Sequence, residues 1–158
     1  MPCCGLIAML LAYTDALETG LGFWFPSLNS GYAASLSPSH SPPTIFFLEA
    51  LAVLAAIRQV ASIVPCGACI ADFTDNFNTM GMFNMLAALP KLNWLLLSAV
   101  DILLVHDLDL CVFHVPGHEN IVADHLSRGR FAEAVASAPG LCVHTFEPPR
   151  DALGAATA

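Results

Sequence analysis

The stretch 113–128, FHVPGHENIVADHLSR, constrains this chain more than any other. Val112, Phe113 and Val115 have the β-branched and aromatic character of a strand end, and Pro116-Gly117 stop it. After the polar loop His118-Glu119-Asn120, Ile121, Val122 and Leu126 resume at helical spacing, with Asp124 in the first turn. A carboxylate just past a strand–loop junction faces the sheet edge where α/β proteins usually take their ligands. One carboxylate binds little alone, so the question is whether others reach the same edge.

The preceding chain supplies them. Residues 6–13 form an apolar run ending in Thr14-Asp15, which predicts a buried strand with an acid at its end. A turn at Glu18-Thr19-Gly20 leads into a second, antiparallel strand over 20–25. The Ser-, Pro- and Gly-rich segment 26–43 reads as a loop, with one weak strand at 32–36. Residues 46–62 have helical composition, and Glu49 shares a face with Val53, Ala56 and Val60. A carboxylate on such an apolar face needs a cation, a proton or a metal. Residues 70–74 predict a short strand. Asp75-Asn76 then cap a helix over 79–89 that Pro90 ends. A helix over 92–105, a strand over 108–115 and a short helix over 131–138 follow, with 139–158 as a loosely attached tail.

Composition narrows the class. At 158 residues the chain is one domain by length, divided here into 1–129 and a C-terminal extension, 130–158. Hydrophobic residues make up 56% and charged ones 11%, with a mean hydropathy of +0.67. No apolar run approaches the roughly 20 residues that span a bilayer, and Met1 is not followed by the basic flank of a signal peptide. These features predict a non-membrane, non-secreted protein, and six cysteines without a secretory signal suit a reducing cytoplasmic or nuclear setting. A net charge of −8 with only five cations opposes strong non-specific nucleic-acid binding.

Four acids thus stand at equivalent places, each near a strand end or helix start: Asp15, Glu49, Asp75 and Asp124. This order of elements resembles the ribonuclease H fold, an α/β architecture with a mixed five-stranded sheet flanked by helices. The local words sharpen the likeness. Thr14-Asp15-Ala16 with Gly20-Leu21-Gly22, then Phe47-Leu48-Glu49-Ala50-Leu51-Ala52-Val53, then Thr74-Asp75-Asn76, resemble that domain in retrotransposon polyproteins. Val115-Pro116-Gly117-His118-Glu119-Asn120 followed by Ala123-Asp124-His125-Leu126-Ser127-Arg128 is similar to its closing signature in gypsy-like and tyrosine-recombinase retroelements. The likeness covers about residues 6–128 in the correct order.

The resemblance implies a metal-dependent endonuclease that hydrolyses the RNA strand of an RNA–DNA hybrid. Its four carboxylates would hold two Mg²⁺ ions, with Mn²⁺ an alternative. Carboxylates suit such hard cations, and a pair of them can activate a water and stabilise the leaving oxygen. Cellular relatives carry a histidine in a longer loop before the last acid. His118 follows Gly117 here and stands for it, on a shorter loop. No basic protrusion for gripping a hybrid is visible. The reverse transcriptase domain that precedes this module in the family has no counterpart, as in a fragment, a decayed copy or a gene-model remnant.

Other readings compete. An inactive remnant acting as a structural or interaction module would explain the acidic balance. A thiol-dependent redox protein would use Cys66-Gly67-Ala68-Cys69, but this pair precedes a strand, and Cys3-Cys4 is a poor second half for a zinc site. His106, His114, His125 and His144 show no ligand spacing. The Phe and Met residues of 80–86 read as core, and Asp72, Asp101, Asp107 and Asp109 as solvated charges.

Overall fold

Alternation along the first strand decides the layering. In β1 (Met9–Leu17) Leu10, Ala12, Thr14 and Ala16 point to one face of the sheet and are buried there, while Tyr13 and Asp15 point to the other. A computed structural model describes residues 8–38 and 40–150 of the chain. β2 (Gly20–Phe25) and β3 (Ser30–Ser35) continue antiparallel from β1. β4 (Cys69–Thr74) and β5 (Asp109–His114) add in parallel on its other side. The last strand, β6 (Cys142–Thr145), pairs parallel with β3, so the order is β5-β4-β1-β2-β3-β6.

Among the described residues, five α-helices cover this mixed sheet. α1 (Ile45–Ala61) lies on the face of Leu10 and Ala12, starting at Thr44, whose hydroxyl accepts from the Phe47 N–H. α2 (Phe77–Met85) and α3 (Asn93–Val105) pack beside it, burying Met82, Phe83, Leu95 and Ala99 against Leu48, Leu51 and Leu54. α4 (Ile121–Ser127) and α5 (Phe131–Ser137) cover part of the opposite face through Val122, Leu126 and Ala134. No single helix among the described residues is long and apolar enough to cross a membrane.

Several expectations need correction. The sheet has six strands rather than five, because Cys142–Thr145, read as loose tail, joins β3 and hands its first N–H to the Asn29 carbonyl at 2.8 Å. Asp15 lies within β1 rather than at its end, since pairing with β2 runs on to Leu17↔Gly20. Positions 6 and 7, Cys3-Cys4 and the end of the tail lie outside the described residues. The weak strand at 32–36 is a full strand from Ser30. The α2 helix ends at Met85, where Leu86 takes φ 52, well before Pro90. Met82 and Phe83 are core, but Met85 and Leu86 are exposed. Asp72 is not solvated: it is 1% exposed.

Two contacts explain how the sheet ends and how α4 comes close. β5 is an edge strand, and the Asn84 side chain closes its open side. Its Nδ2 donates to the Val112 carbonyl (2.7 Å), and its Oδ1 accepts from the Val112 N–H (2.9 Å). Asn84→Ala is expected to cost roughly 2 kcal/mol and to produce concentration-dependent self-association on size-exclusion chromatography, because a bare strand edge recruits another strand.

Gly20 and Gly22 let α4 approach the β1–β2 hairpin. A Cβ on Gly22 would lie 2.5 Å from the Ser127 nitrogen and 2.7 Å from the Ala123 carbonyl oxygen. Gly22→Ala is expected to destabilise the domain by about 3 kcal/mol, lowering Tm by roughly 10 °C. Gly81→Ala in α2, where a Cβ meets nothing within 4 Å, should instead stabilise by up to about 1 kcal/mol. Equal thermal melts for the two variants would contradict this packing.

Candidate metal centre

The site forms where β1 outruns β4. Their pairing stops at Tyr13↔Phe73, while β1 continues alongside β2, leaving a notch at the sheet edge. Glu49 reaches into it from α1: its Oε1 accepts the Ala16 N–H at 3.2 Å, and its Oε2 the Thr74 hydroxyl at 3.4 Å. Asp75 follows β4 directly, ahead of Asn76, whose Oδ1 caps α2 by accepting the Thr79 N–H at 2.9 Å. Asp15 projects from β1 and accepts from the Ser127 hydroxyl of α4 at 2.6 Å. One carboxylate oxygen from each of Asp15, Glu49 and Asp75 lies within 4.8 Å of the others.

Asp124, the fourth predicted acid, stands beside this trio rather than in it. It is half-buried, and Arg128 donates to it from one turn on at 2.9 Å. Its charge still raises the proton affinity of both Asp15 and Asp75. Gly117 closes the loop over Asp75, and a Cβ there would lie 3.1 Å from the Asp75 Oδ2. His118 is largely exposed and turned to Glu119 at 3.8 Å.

Three contributors were not singled out from the sequence. His114, at the end of β5, stacks face to face on Phe77 with ring centroids 3.7 Å apart, and its charge favours ionised Asp75. Ser127 holds Asp15, and Asn120, 2% exposed, ties the start of α4 to β1. For His114 a signal existed: it closes a strand directly before the signature that carries Asp124. Ser127 and Asn120 had none beyond membership of that signature.

Burial makes these acids hold protons. Desolvation, followed by the charges of Asp15 and Asp75, pushes Glu49 up to about 9. Burial likewise raises Asp15 to about 7, against the opposing Ser127 hydrogen bond. Asp75 rises through burial, opposed by its own backbone N–H and by His114. Clustered oxygen donors that cannot all stay ionised in a metal-free site are the set a hard divalent cation satisfies. Asp15 and Glu49 are 6% and 2% exposed, and a cleft of about 490 Å³, lined by Thr19, Ser35, Arg128 and Phe131, contains none of the three carboxylates. The exposed pair Cys66 and half-buried Cys69 join no metal-ligand cluster among the described residues.

No family model and no curated protein sequence matches the chain. Solved structures do. RNase H1 from the halophilic archaeon Halobacterium salinarum aligns over 83% of this chain and 100% of its own, with 20% identity and a TM-score of 0.62. LC11-RNase H1 in complex with an RNA/DNA hybrid aligns over 80% of this chain and 99% of its own, with 16% identity and a TM-score of 0.63. The N-terminal RNase H domain of a Mycobacterium tuberculosis protein aligns over 83% and 99%, with 16% identity and a TM-score of 0.58. At such identities it is the fold that is shared. The chain therefore has the ribonuclease H-like fold, with an acidic trio at the sheet-edge notch.

Proposed function

We propose that this domain is a metal-dependent endoribonuclease acting on the RNA strand of RNA–DNA hybrids, and that it derives from a retroelement polyprotein in which a reverse transcriptase domain preceded it. The observation that carries the reading is the convergence of Asp15, Glu49 and Asp75 within 4.8 Å at the sheet-edge notch. The LC11-RNase H1 complex with a hybrid, on the same fold, supports the substrate class. The retroelement words at Asp15, Glu49, Asp75 and Asp124 support the origin.

In this reading Asp15, Glu49, Asp75 and Asp124 hold two Mg²⁺ ions, or Mn²⁺ in their place. Bound there, such ions supply Lewis acidity and a water of lowered pKa. The residues around them orient the ligands. Ser127 and the Ala16 N–H fix one oxygen each of Asp15 and Glu49, and Arg128 holds Asp124. His114, half-buried and stacked on Phe77, carries a charge that favours ionised Asp75, and in this reading it would exchange a proton at the site. His118 remains a candidate for assisting product release from its exposed turn. Recognition of RNA would rest on the 2′-OH and groove shape.

The net charge of −8 favours a second reading, a catalytically inactive remnant that keeps the fold. The test is incubation of end-labelled RNA–DNA hybrid, RNA duplex and DNA duplex at low salt with Mg²⁺, then with EDTA. Cleavage of the hybrid alone, abolished by EDTA, is expected. An intact hybrid under both conditions would select the remnant.

A further inference from the structure

Beneath the candidate metal centre lies a second polar cluster. Asp72, Thr14 and Asn120 are 1%, 0% and 2% exposed. The Thr14 hydroxyl donates to Asp72 Oδ2 at 3.1 Å, with the Phe73 carbonyl as an alternative acceptor at 3.3 Å. The Thr14 carbonyl accepts from Asn120 Nδ2 at 2.7 Å. Asp72 Oδ1 and Asn120 Oδ1 are buried with no hydrogen-bond partner among the described residues. A carboxyl left half-satisfied under α1 weakens the fold. An aliphatic side chain at 72, in line with Ile70 on the same face, would pack without that cost.

The placement of the three residues suggests what is gained. Asp72 is in β4, three residues before Asp75. Thr14 is in β1, next to Asp15, and Asn120 opens α4, four residues before Asp124. Ladder pairing between β1 and β4 ends at Tyr13↔Phe73, so backbone hydrogen bonds no longer hold the two strands in register at the acids. The Thr14–Asp72 bond ties the first β1 residue past that point back to a β4 residue within the ladder, and Asn120 fastens α4 to the same Thr14.

We infer that Asp72, Thr14 and Asn120 form a buried relay of positioning residues that sets Asp15 and Asp124 against Asp75 and so determines metal affinity. The inference rests on reading the acid trio as a metal site. Asp72 touches no ligand of that site by hydrogen bond and acts through Thr14.

The experiment compares Asp72→Leu with Asp72→Asn, which keeps an oxygen for the Thr14 hydroxyl. Asp72→Leu is expected to melt no lower than the parent without metal. Its Mn²⁺ affinity by titration calorimetry should fall about tenfold, with kcat on the hybrid falling more than KM changes. Asp72→Asn should restore both to within about threefold of the parent. In the metal-free protein, exchange of the Ala16 N–H, measured relative to global unfolding, should speed up about tenfold in the leucine variant alone. Parental Mn²⁺ affinity together with parental Ala16 exchange in Asp72→Leu would overturn the relay. A parent that neither binds Mn²⁺ nor cuts the hybrid would sink the nuclease reading instead, and Ala16 exchange would still decide whether the relay orders this edge.

Discussion

Asp75→Asn is expected to lower hybrid cleavage by about 10³-fold or more while the protein stays folded. Asp75 supplies one of the three converging oxygens and sits outside the packed core, directly after β4. An amide keeps the shape but loses the charge that a hard cation needs. Without metal, the substitution removes one of several acids whose like charges raise each other, so Tm in EDTA should hold or rise by a few degrees. Asp101→Asn, on the exposed side of α3, serves as the control and should leave both rate and melt unchanged. Initial rates on a labelled hybrid and melts with and without Mg²⁺ measure all of this. Equal cleavage by parent and Asp75→Asn would place the activity elsewhere or in a contaminant.

Metal-free stability should fall as pH rises. Asp15 and Asp72 hold their protons to about 7 and Glu49 to about 9, whereas unfolded carboxyls lose theirs near pH 4. Burial is the first cause in each case. Between those limits the native state binds more protons than the unfolded state, so stability is greatest near pH 4–5 and declines toward pH 9. Each tenfold change in proton affinity is worth roughly 1.4 kcal/mol, so the decline amounts to several kcal/mol. In EDTA, Tm should drop by about 10 °C between pH 5 and 8.5. Divalent cation takes the place of the protons, so the rise in Tm on adding Mg²⁺ should grow over the same range. A flat or rising Tm in EDTA would show that these carboxyls are ionised in the folded protein.

Local chemistry made much of this legible in the chain. Apolar runs bounded by Gly, Pro and Asn marked the strands, and Asn76 capped its helix as its residue type predicts. Asp75 was legible because it sits at an element boundary, Glu49 because it sits on an apolar helix face, and Asp15 because it closes an apolar run, although the strand continues past it. Asp72 was misread for a physical reason. In β4, Asp72 and Thr74 alternate with Ala71 and Phe73, a pattern that looks like a polar face turned to water. Whether that face meets water or α1 depends on which side the crossover helix takes. The final strand was missed because a four-residue segment carries little signal, and its partner lies more than 100 residues earlier.

By itself, then, the sequence determined the types and order of the elements up to α5 and the acids they carry, since those follow from backbone propensity and side-chain period. Only the tertiary structure decided that three carboxylates share one notch while Asp124 stands beside them, that the charge of His114 acts on Asp75, and that Asp72 lies under α1. These outcomes turn on distances between segments far apart in the chain. They were set by how closely Gly22 lets α4 approach the hairpin and by where the β1–β4 ladder stops.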